Sequence, residues 1–471
     1  MKGRQFIKQT AGATAAFSIV PSYVLGGCHV PPSDTLYVAC IGVGGRGGGI
    51  VRELDATKKV KFVALCDVDD RRAQASYDQH KKAARYKDFR RILDNHLDEI
   101  DAFTVGTPDH THAVIALPFM RAKKHAYVEK PLTHNIYEAR LMARVAREEG
   151  IVTQMGNQGS SSDGIREAQE WIESGAIGEV ERVDCWTNRP VWPQGLRNIN
   201  TGEPVPEGLD WDLWLGPAQE RPYHSAYLPF KWRGWWDFGT GGLGDMGCHI
   251  METPFRTLQL GHPYEAEASC TTVWAGDFVE ANYAKACPPS SIVRLKFNTE
   301  AYGNVDLNWY DGGIMPDLPD ELKDGEMIGD WSGGSVFYGT KGMLVTDCYS
   351  GNPRLLPSER MQEVKKPEPT ITRIKGSHVN NWVEGIIDGI ETSSPFSYAG
   401  PLTEAVLMGN LAIKAFQYKV LKSGKTPTDW SPFNYPGRRK LLWDGDAMKV
   451  TNYDKANDWV TRNYRSGWEV K

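Results

Sequence analysis

Asp245 and His249 stand four residues apart in GDMGCH, directly after the loop Gly239, Thr240, Gly241, Gly242, Leu243, Gly244. On a helix that spacing puts both side chains on one face. An imidazole with an ordinary pKa near ~6.5 can take a proton from a hydroxyl at neutral pH, and a carboxylate beside it can assist. The same spacing also suits a solvated helix pair or two metal ligands, although no third ligand follows at a recognisable spacing. Cys248 faces another side of such a helix and is expected to pack. A second group is Gly42, Val43, Gly44, Gly45, Arg46, Gly47, which fits GxGxxG. Its first glycine allows a tight turn, its second lets the backbone approach a pyrophosphate, and its third lets a helix pack on the strand. The N-terminus of that helix then favours phosphate oxygens.

The elements that position these groups are legible around them. Leu36 to Ile41 is an apolar run suited to a buried parallel strand. A second such strand, Val60 to Cys66, ends at Asp67, and 67 minus 47 is the 20-residue interval to an acid that binds an adenosine ribose. Asp67 would accept from both ribose hydroxyls and repel a 2′-phosphate, which favours NAD over NADP. Ala102 to Val105 and Ala126 to Val128 read as further strands. Carboxyl ends of parallel strands line the ligand crevice, so Thr107, Pro108, Asp109, His110, Thr111, His112, Glu129 and Lys130 should face the cofactor. Ile151 to Thr153 leads into QMGNQ, where Asn157 and Gln158 are expected to contact nicotinamide or substrate. Later, Ser291 to Phe297 and Tyr302 to Trp309 alternate like strands, and Phe337 to Gly339 reads as a strand followed by a turn at Lys341 and Gly342. His378 to Ile390 and Leu402 to Leu421 have helical spacing, with Gly424 as the stop of the second.

Taken in order, GVGGRG, CDVD, GTPDHTHA and VEKP resemble the Gfo/Idh/MocA oxidoreductase family. The similarity continues through QMGNQG, WDLWLGP, GDMGCH and LLWDGDAMKVTN, so it covers nearly everything after residue 35, and it is closest to exported bacterial members. The resemblance implies an α/β chain with two parts: an N-terminal Rossmann parallel-sheet domain, and a C-terminal α/β domain with a large, mostly antiparallel open sheet. The expected division is 1–34 export signal and linker, 35–155 nucleotide domain, 156–430 substrate domain and 431–471 C-terminal extension, with the late helices packing back on the nucleotide domain. It also implies that Lys130, Asp245 and His249 are the catalytic set. Lys130 would stabilise developing alkoxide charge and help hold a ribose, with His249 as the base. The cofactor contacts expected are Gly42, Gly44, Gly45, Arg46, Gly47, Asp67, Thr107, Pro108, His112, Glu129, Lys130, Asn157 and Gln158.

Trp186, Trp192, Trp211, Trp214, Trp232, Trp235 and Trp236 crowd 51 residues together with Arg189, Arg197 and Arg233. Indole faces pack on the CH-rich faces of pyranose rings while arginines bind hydroxyls, the mixture a sugar pocket needs. Arg189, Trp192, Arg233 and Trp235 are the substrate residues expected, whereas Trp211 and Trp214 should pin a helical turn into the core. The reaction implied is oxidation of a secondary hydroxyl of a sugar, glycoside or polyol. Two alternatives stand beside it: glycoside cleavage through transient oxidation and elimination, and a non-catalytic sugar or nucleotide sensor. A charge of -5 without blocks of one sign argues against nucleic acid, and eight cysteines without CxxC indicate neither a disulfide framework nor a structural zinc. The start, with Lys2, Arg4 and Lys8 before the short apolar run Ala11 to Val20, reads as an export signal. Gly3, Arg4, Gln5, Phe6, Ile7, Lys8 is similar to a twin-arginine motif with glycine in the first arginine's place, an ordinary secretory leader being the other reading. Leu25, Gly26, Gly27, Cys28 matches a lipoprotein processing site that would tether the protein by a lipid on Cys28. A periplasmic homo-oligomer is expected.

Overall fold

The computed structural model describes residues 34–470; the expected leader and Cys28 lie outside them. The chain begins by alternating strands and helices: β1 (Leu36–Ile41), α1 (Gly45–Ala56), β2 (Val60–Cys66), α2 (Asp70–Gln79), β3 (Ala84–Tyr86), α3 (Arg90–His96), β4 (Ala102–Val105), α4 (His112–Arg121), β5 (His125–Val128), α5 (Ile136–Glu149) and β6 (Thr153–Met155). Strands of near-continuous Val, Ala, Leu and Cys can be buried on both faces only if helices cover both. They pair in parallel in the order β3-β2-β1-β4-β5-β6, the doubly wound arrangement. Local chemistry sets the helix ends. Asn135 accepts from Glu138 N at the start of α5, and Gly150 ends it at φ 62, a left-handed turn that glycine adopts without strain.

A second sheet follows from α6 (Asp163–Glu173), β7 (Val180–Thr187), α7 (Trp211–Leu215), α8 (Gly241–Ile250), α9 (Glu252–Thr257), β8 (Glu265–Cys270), a small hairpin β9 (Trp274–Gly276) and β10 (Val279–Glu280), β11 (Ser291–Thr299), β12 (Gly303–Tyr310), β13 (Gly333–Gly339), β14 (Gly342–Asp347) and β15 (Arg354–Leu356). The rest is α10 (Arg360–Glu363), α11 (His378–Ile387), α12 (Phe396–Gln417), β16 (Val420–Leu421), β17 (Phe433–Asn434), β18 (Leu441–Asp444) and β19 (Lys449–Val450). The nine-stranded sheet runs β15-β14-β13-β7-β12-β11-β8-β18-β19, antiparallel throughout except for the β12–β7 pair. Alternation in β11 is strict: Ser291, Val293, Leu295, Phe297 and Thr299 are buried and the residues between them are not, so one face packs inward and the other stays open.

The late helices join the two sheets. Val379, Trp382 and Val383 of α11 share a core with Val38, Ile50 and Tyr127 of the parallel sheet and its first helix. Glu404 of α12 accepts a paired contact from Arg140 of α5 at 2.6 and 2.7 Å and the indole N–H of Trp443 of β18 at 3.0 Å. Helix α12 differs from the sequence reading at both ends. Helix α12 starts six residues before Leu402 and runs through Pro401, because Ala399, Gly400 and the residues beyond are buried against α5 and that burial outweighs the lost hydrogen bond. It ends at Tyr418 rather than Gly424, since Val420–Leu421 pairs with β17 and Gly424 serves the turn between them. Within residues 431–471, β18 pairs with β8 in the large sheet.

Candidate functional site

The turn between β1 and α1 places the glycines where the motif requires them. Gly42 has φ +75, and a Cβ on Gly47 would stand 1.7 Å from Gly42 O, so α1 approaches the strand end as closely as a bare backbone allows. No side chain caps α1, so its first amides remain for a ligand. Asp67, at the end of β2, accepts from Val43 N at 2.9 Å, Gly44 N at 3.0 Å and Asp69 N at 3.0 Å, which fixes the carboxylate beside the glycine turn. Burial raises its pKa, against the pull of those amides.

A cavity of about 780 Å³ runs from this turn to the large sheet, within the range of a cofactor site. Lys130, at the end of β5, reaches into it and donates to Asp245 O at 2.5 Å and to Asp245 Oδ1 at 2.9 Å. Arg233 Nε donates to the same Oδ1 at 2.9 Å, and Arg189 Nε lies 3.8 Å from Oδ2. Burial would raise the Asp245 carboxyl, but the Lys130 ammonium and Arg233 guanidinium outweigh it and hold it well below the usual carboxylate range. His249, one turn on along α8, is buried against Tyr349 with ring centroids 4.8 Å apart. Burial first, and the Lys130 charge second, push its pKa well below that of an ordinary histidine, so the ring is a neutral proton acceptor at pH 7. The glycine run before α8 also has a local cause. Thr240 Oγ1 donates to Asp109 Oδ2 at 2.7 Å, tying α8 to the loop after β4, and a Cβ on Gly244 would lie 1.9 Å from that hydroxyl oxygen.

Of the expected residues, Gly42, Gly44, Gly45, Arg46, Asp67, Thr107, Pro108, Glu129, Lys130, Gln158, Arg189, Arg233, Asp245 and His249 all line the cavity. Arg46 is held between Glu129 at 2.8 Å and Glu53 at 3.0 Å. Gly47 lies behind the turn in its packing role. Five other expected residues do not face the cavity, the first being His110, fully buried with Nε2 3.1 Å from Trp214 O. The His112 ring is fully buried between Thr107 O and Pro131 O, 2.9 Å from each, where it couples the loop after β4 to the one after β5. Asn157 is turned inward to Glu252 of α9. Trp192 sits one layer back, its ring 5.4 Å from Phe230 and its N–H bonded to Gln194 at 3.0 Å. Trp235 is 1% exposed, donating to Ala226 O and packed on Tyr227. Asp245 and His249 share the cavity as their spacing implies, yet the carboxylate bonds to Lys130 and Arg233.

The wall is instead built by Trp214, Tyr223, Leu228, Phe230 and Trp232, with Arg233 lying 4.4 Å over Phe230 and 4.2 Å over Trp232. Trp211 stacks on Trp214 at 4.9 Å from behind. The segment carrying this wall bonds across the strand end beside Asp67: Asp70 N donates to Gly208 O, Asp210 N to Val68 O and Lys87 Nζ to Gly208 O, at 3.1, 2.8 and 2.9 Å. The chain's last segment closes the same end. Arg465 pairs with Asp212 at 2.5 Å, and Trp468 lines the cavity near Phe89 with Arg90 4.2 Å over its ring. An uncapped helix end, a ribose-height carboxylate and an apolar closed end together fit a dinucleotide, with Lys130 and His249 at the far end. Among the described residues no group of three or more His, Cys, Asp or Glu is placed to hold a metal ion, and the seven cysteines there are unpaired.

Comparison with known proteins agrees with this arrangement. Residues 36–157 match the model of the oxidoreductase family's NAD-binding Rossmann fold, and residues 167–262 match the model of its C-terminal alpha/beta domain. The chain belongs to the Gfo/Idh/MocA oxidoreductase family. Its relatives include levoglucosan dehydrogenase of Pseudarthrobacter phenanthrenivorans, 32% identical over 35% of this chain and 34% of that one. A glycosyl hydrolase family 109 protein of Shewanella pealeana is 36% identical over 24% of this chain and 26% of that one. Such matches span a quarter to a half of the curated relatives' own lengths. The WlbA dehydrogenase of Bordetella pertussis, solved with NADH and UDP-GlcNAcA, has a TM-score of 0.54 at 14% identity over 81% of this chain and 97% of that one, a likeness of fold. Residues 36–157 are thus the NAD-binding domain of a family oxidoreductase.

Proposed function

We propose that the protein is an NAD-dependent dehydrogenase that oxidises a secondary hydroxyl of a sugar, glycoside or related polyol to a ketone. The observation that carries this reading is the meeting of Lys130, Asp245 and His249 in the same cavity that the glycine turn and Asp67 line. Bound NAD supplies the hydride acceptor. Neutral His249 takes the hydroxyl proton as the C–H bond is broken. Lys130 has three N–H donors, two of them spent on Asp245, and the third is available to the reacting oxygen as it becomes an alkoxide. Asp245 fixes that ammonium in place, and Arg189 and Arg233 neutralise the carboxylate while offering their remaining N–H groups to ring hydroxyls. The Trp232 and Phe230 wall excludes water and receives an apolar sugar face.

Similarity to a glycosyl hydrolase family 109 protein favours a second reading, cleavage of a glycoside through transient oxidation at the same site. Incubation with glucosides, galactosides and inositols, with nicotinamide absorbance and product mass followed together, separates the two. A product two hydrogens lighter supports dehydrogenation, aglycone release supports cleavage, and neither outcome in any member of the panel refutes both. Export through residues 1–34, a lipid on Cys28 and homo-oligomerisation belong to the same proposal, checked by the N-terminal mass and light scattering of the mature protein. Nicotinamide dinucleotide is scarce outside the cytoplasm. The segment 208–233 and Trp468 over the adenosine end support a cofactor kept through many turnovers. Denatured native protein should therefore release nucleotide.

A further inference from the structure

Trp331 is 70% exposed, and nothing about its backbone is loose. It occupies a turn in which Asp330 N and Gly333 N bond reciprocally to Gly333 O and Asp330 O at 3.0 and 3.3 Å, while Asp330 Oδ1 accepts from Ser332 N at 2.7 Å. Ser332 O accepts from Asn188 N at 3.1 Å and from the Thr187 hydroxyl at 2.8 Å, so the turn is fastened to the end of β7. Asp330 Oδ2 accepts from Cys348 N at 3.4 Å, which joins it to the turn bearing Tyr349. A rigid turn thus presents an indole to water, an arrangement that folding alone does not favour.

What lies beside Trp331 gives the indole a use. The Arg189 guanidinium carbon is 6.0 Å from its ring centroid, and the same Arg189 lines the catalytic cavity and faces Asp245. Tyr349, on the joined turn, is 46% exposed and packs edge-on against His249. Tyr349 and Arg189 both line the cavity, the first packed on His249 and the second beside Trp331, so two aromatic rings accompany a hydrogen-bonding fork at this part of the site. Alternating apolar faces with a few fixed donors is how a pyranose or aryl ring is held.

We infer that Trp331 and Tyr349 flank a distal subsite for the second ring of a glycoside whose first ring reacts at His249. The substrate class is then disaccharides and aryl glycosides rather than free monosaccharides. This rests on the dehydrogenase reading above. The test compares methyl and phenyl β-glucosides and β-galactosides, with wild type, Trp331→Ala and Trp331→Phe. Stacking contacts of this kind predict that the ratio of kcat/KM for phenyl over methyl glycoside falls about 3- to 10-fold in Trp331→Ala. The fall should lie in KM, and Trp331→Phe should restore most of it. An unchanged ratio, or an equal loss on both substrates, overturns the subsite while leaving oxidation of the methyl glycoside as evidence for the parent reading. A drop in oligomeric mass of Trp331→Ala with an unchanged ratio overturns it in favour of a subunit contact. Absence of oxidation of both methyl and phenyl glycosides by the wild type overturns the subsite, while the parent reading is refuted only if the inositols of the wider panel fail as well.

Discussion

In the proposed reaction Lys130 serves both the reacting oxygen and the charge balance of His249, so Lys130→Met should leave two separate marks. The first is on the rate. Losing the donor aimed at developing alkoxide should lower kcat about 10²- to 10³-fold, the usual cost of removing one such donor. The fold should survive, because Arg233 still bonds Asp245 Oδ1 at 2.9 Å. The second mark is on pH dependence. His249 must be neutral to accept a proton, so activity falls as pH drops through its pKa. Burial and Lys130 lower that pKa, while Asp245 raises it. Removing Lys130 therefore moves the acid limb to higher pH, and Asp245→Asn moves it to lower pH. Profiles of kcat/KM from about pH 9 down to the lowest pH the fold tolerates, since the wild-type limb lies well below 6.5, would show the two limbs displaced in opposite directions from the wild type. Displacement of both in the same direction, or a limb that persists in His249→Asn, would refute the assignment of His249 as the base.

Asp67→Asn keeps the shape of the acid and removes its charge. NAD affinity should fall about tenfold or more, as expected for losing charged hydrogen bonds to a ribose, while the NADP to NAD preference rises; titration with both nucleotides checks this, and an unchanged preference would sink the ribose role. Buried neutral histidines should make the protein acid-labile. Burial pushes His110 down to about 3 and His378 down to about 4, so the unfolded chain binds more protons below its ordinary value near 6.5. Stability is then lost as pH falls from there, by up to ~1.4 kcal/mol per pH unit for each. Urea midpoints should show a shallower slope in His378→Gln, and an equal slope would show that this ring does not contribute. Trp468→Ala opens the adenosine end of the cavity and should speed nucleotide loss during gel filtration with little change in sugar KM; retention equal to wild type would deny the last segment its role.

The sequence made the nucleotide end plain because each residue there is tied by a fixed interval to a strand end: Gly42 to β1, Asp67 to β2, Thr107 to β4, Lys130 to β5. Asp245 and His249 were legible through helical spacing, although the carboxylate's bonds to Lys130 and Arg233 cross more than a hundred and a dozen residues respectively, which no local period records. The tryptophan cluster announced a wall without saying which rings face inward. Between residues 188 and 238 the chain holds only α7 and one short 3-10 turn, so neither a 2.0 nor a 3.6 period orders the side chains, and Trp232 and Phe230 line the cavity while Trp192 and Trp235 stand behind. His112 and Asn157 follow strand ends as cofactor contacts should, but both find buried partners of their own. Tyr349 and Trp468 come from distant turns and carry no motif. The one trace of Trp468 was the resemblance extending almost to the end of the chain.

The central claim, that NAD would oxidise a sugar hydroxyl here with His249 taking the proton and Lys130 holding the oxygen, is tested most directly by single-turnover oxidation of a glycoside followed by nicotinamide absorbance, with wild type and His249→Asn loaded with equal NAD. The account predicts reduced nicotinamide and a keto product two hydrogens lighter from the wild type, and neither from the variant at pH 7. Equal reduction of NAD by both proteins would contradict it.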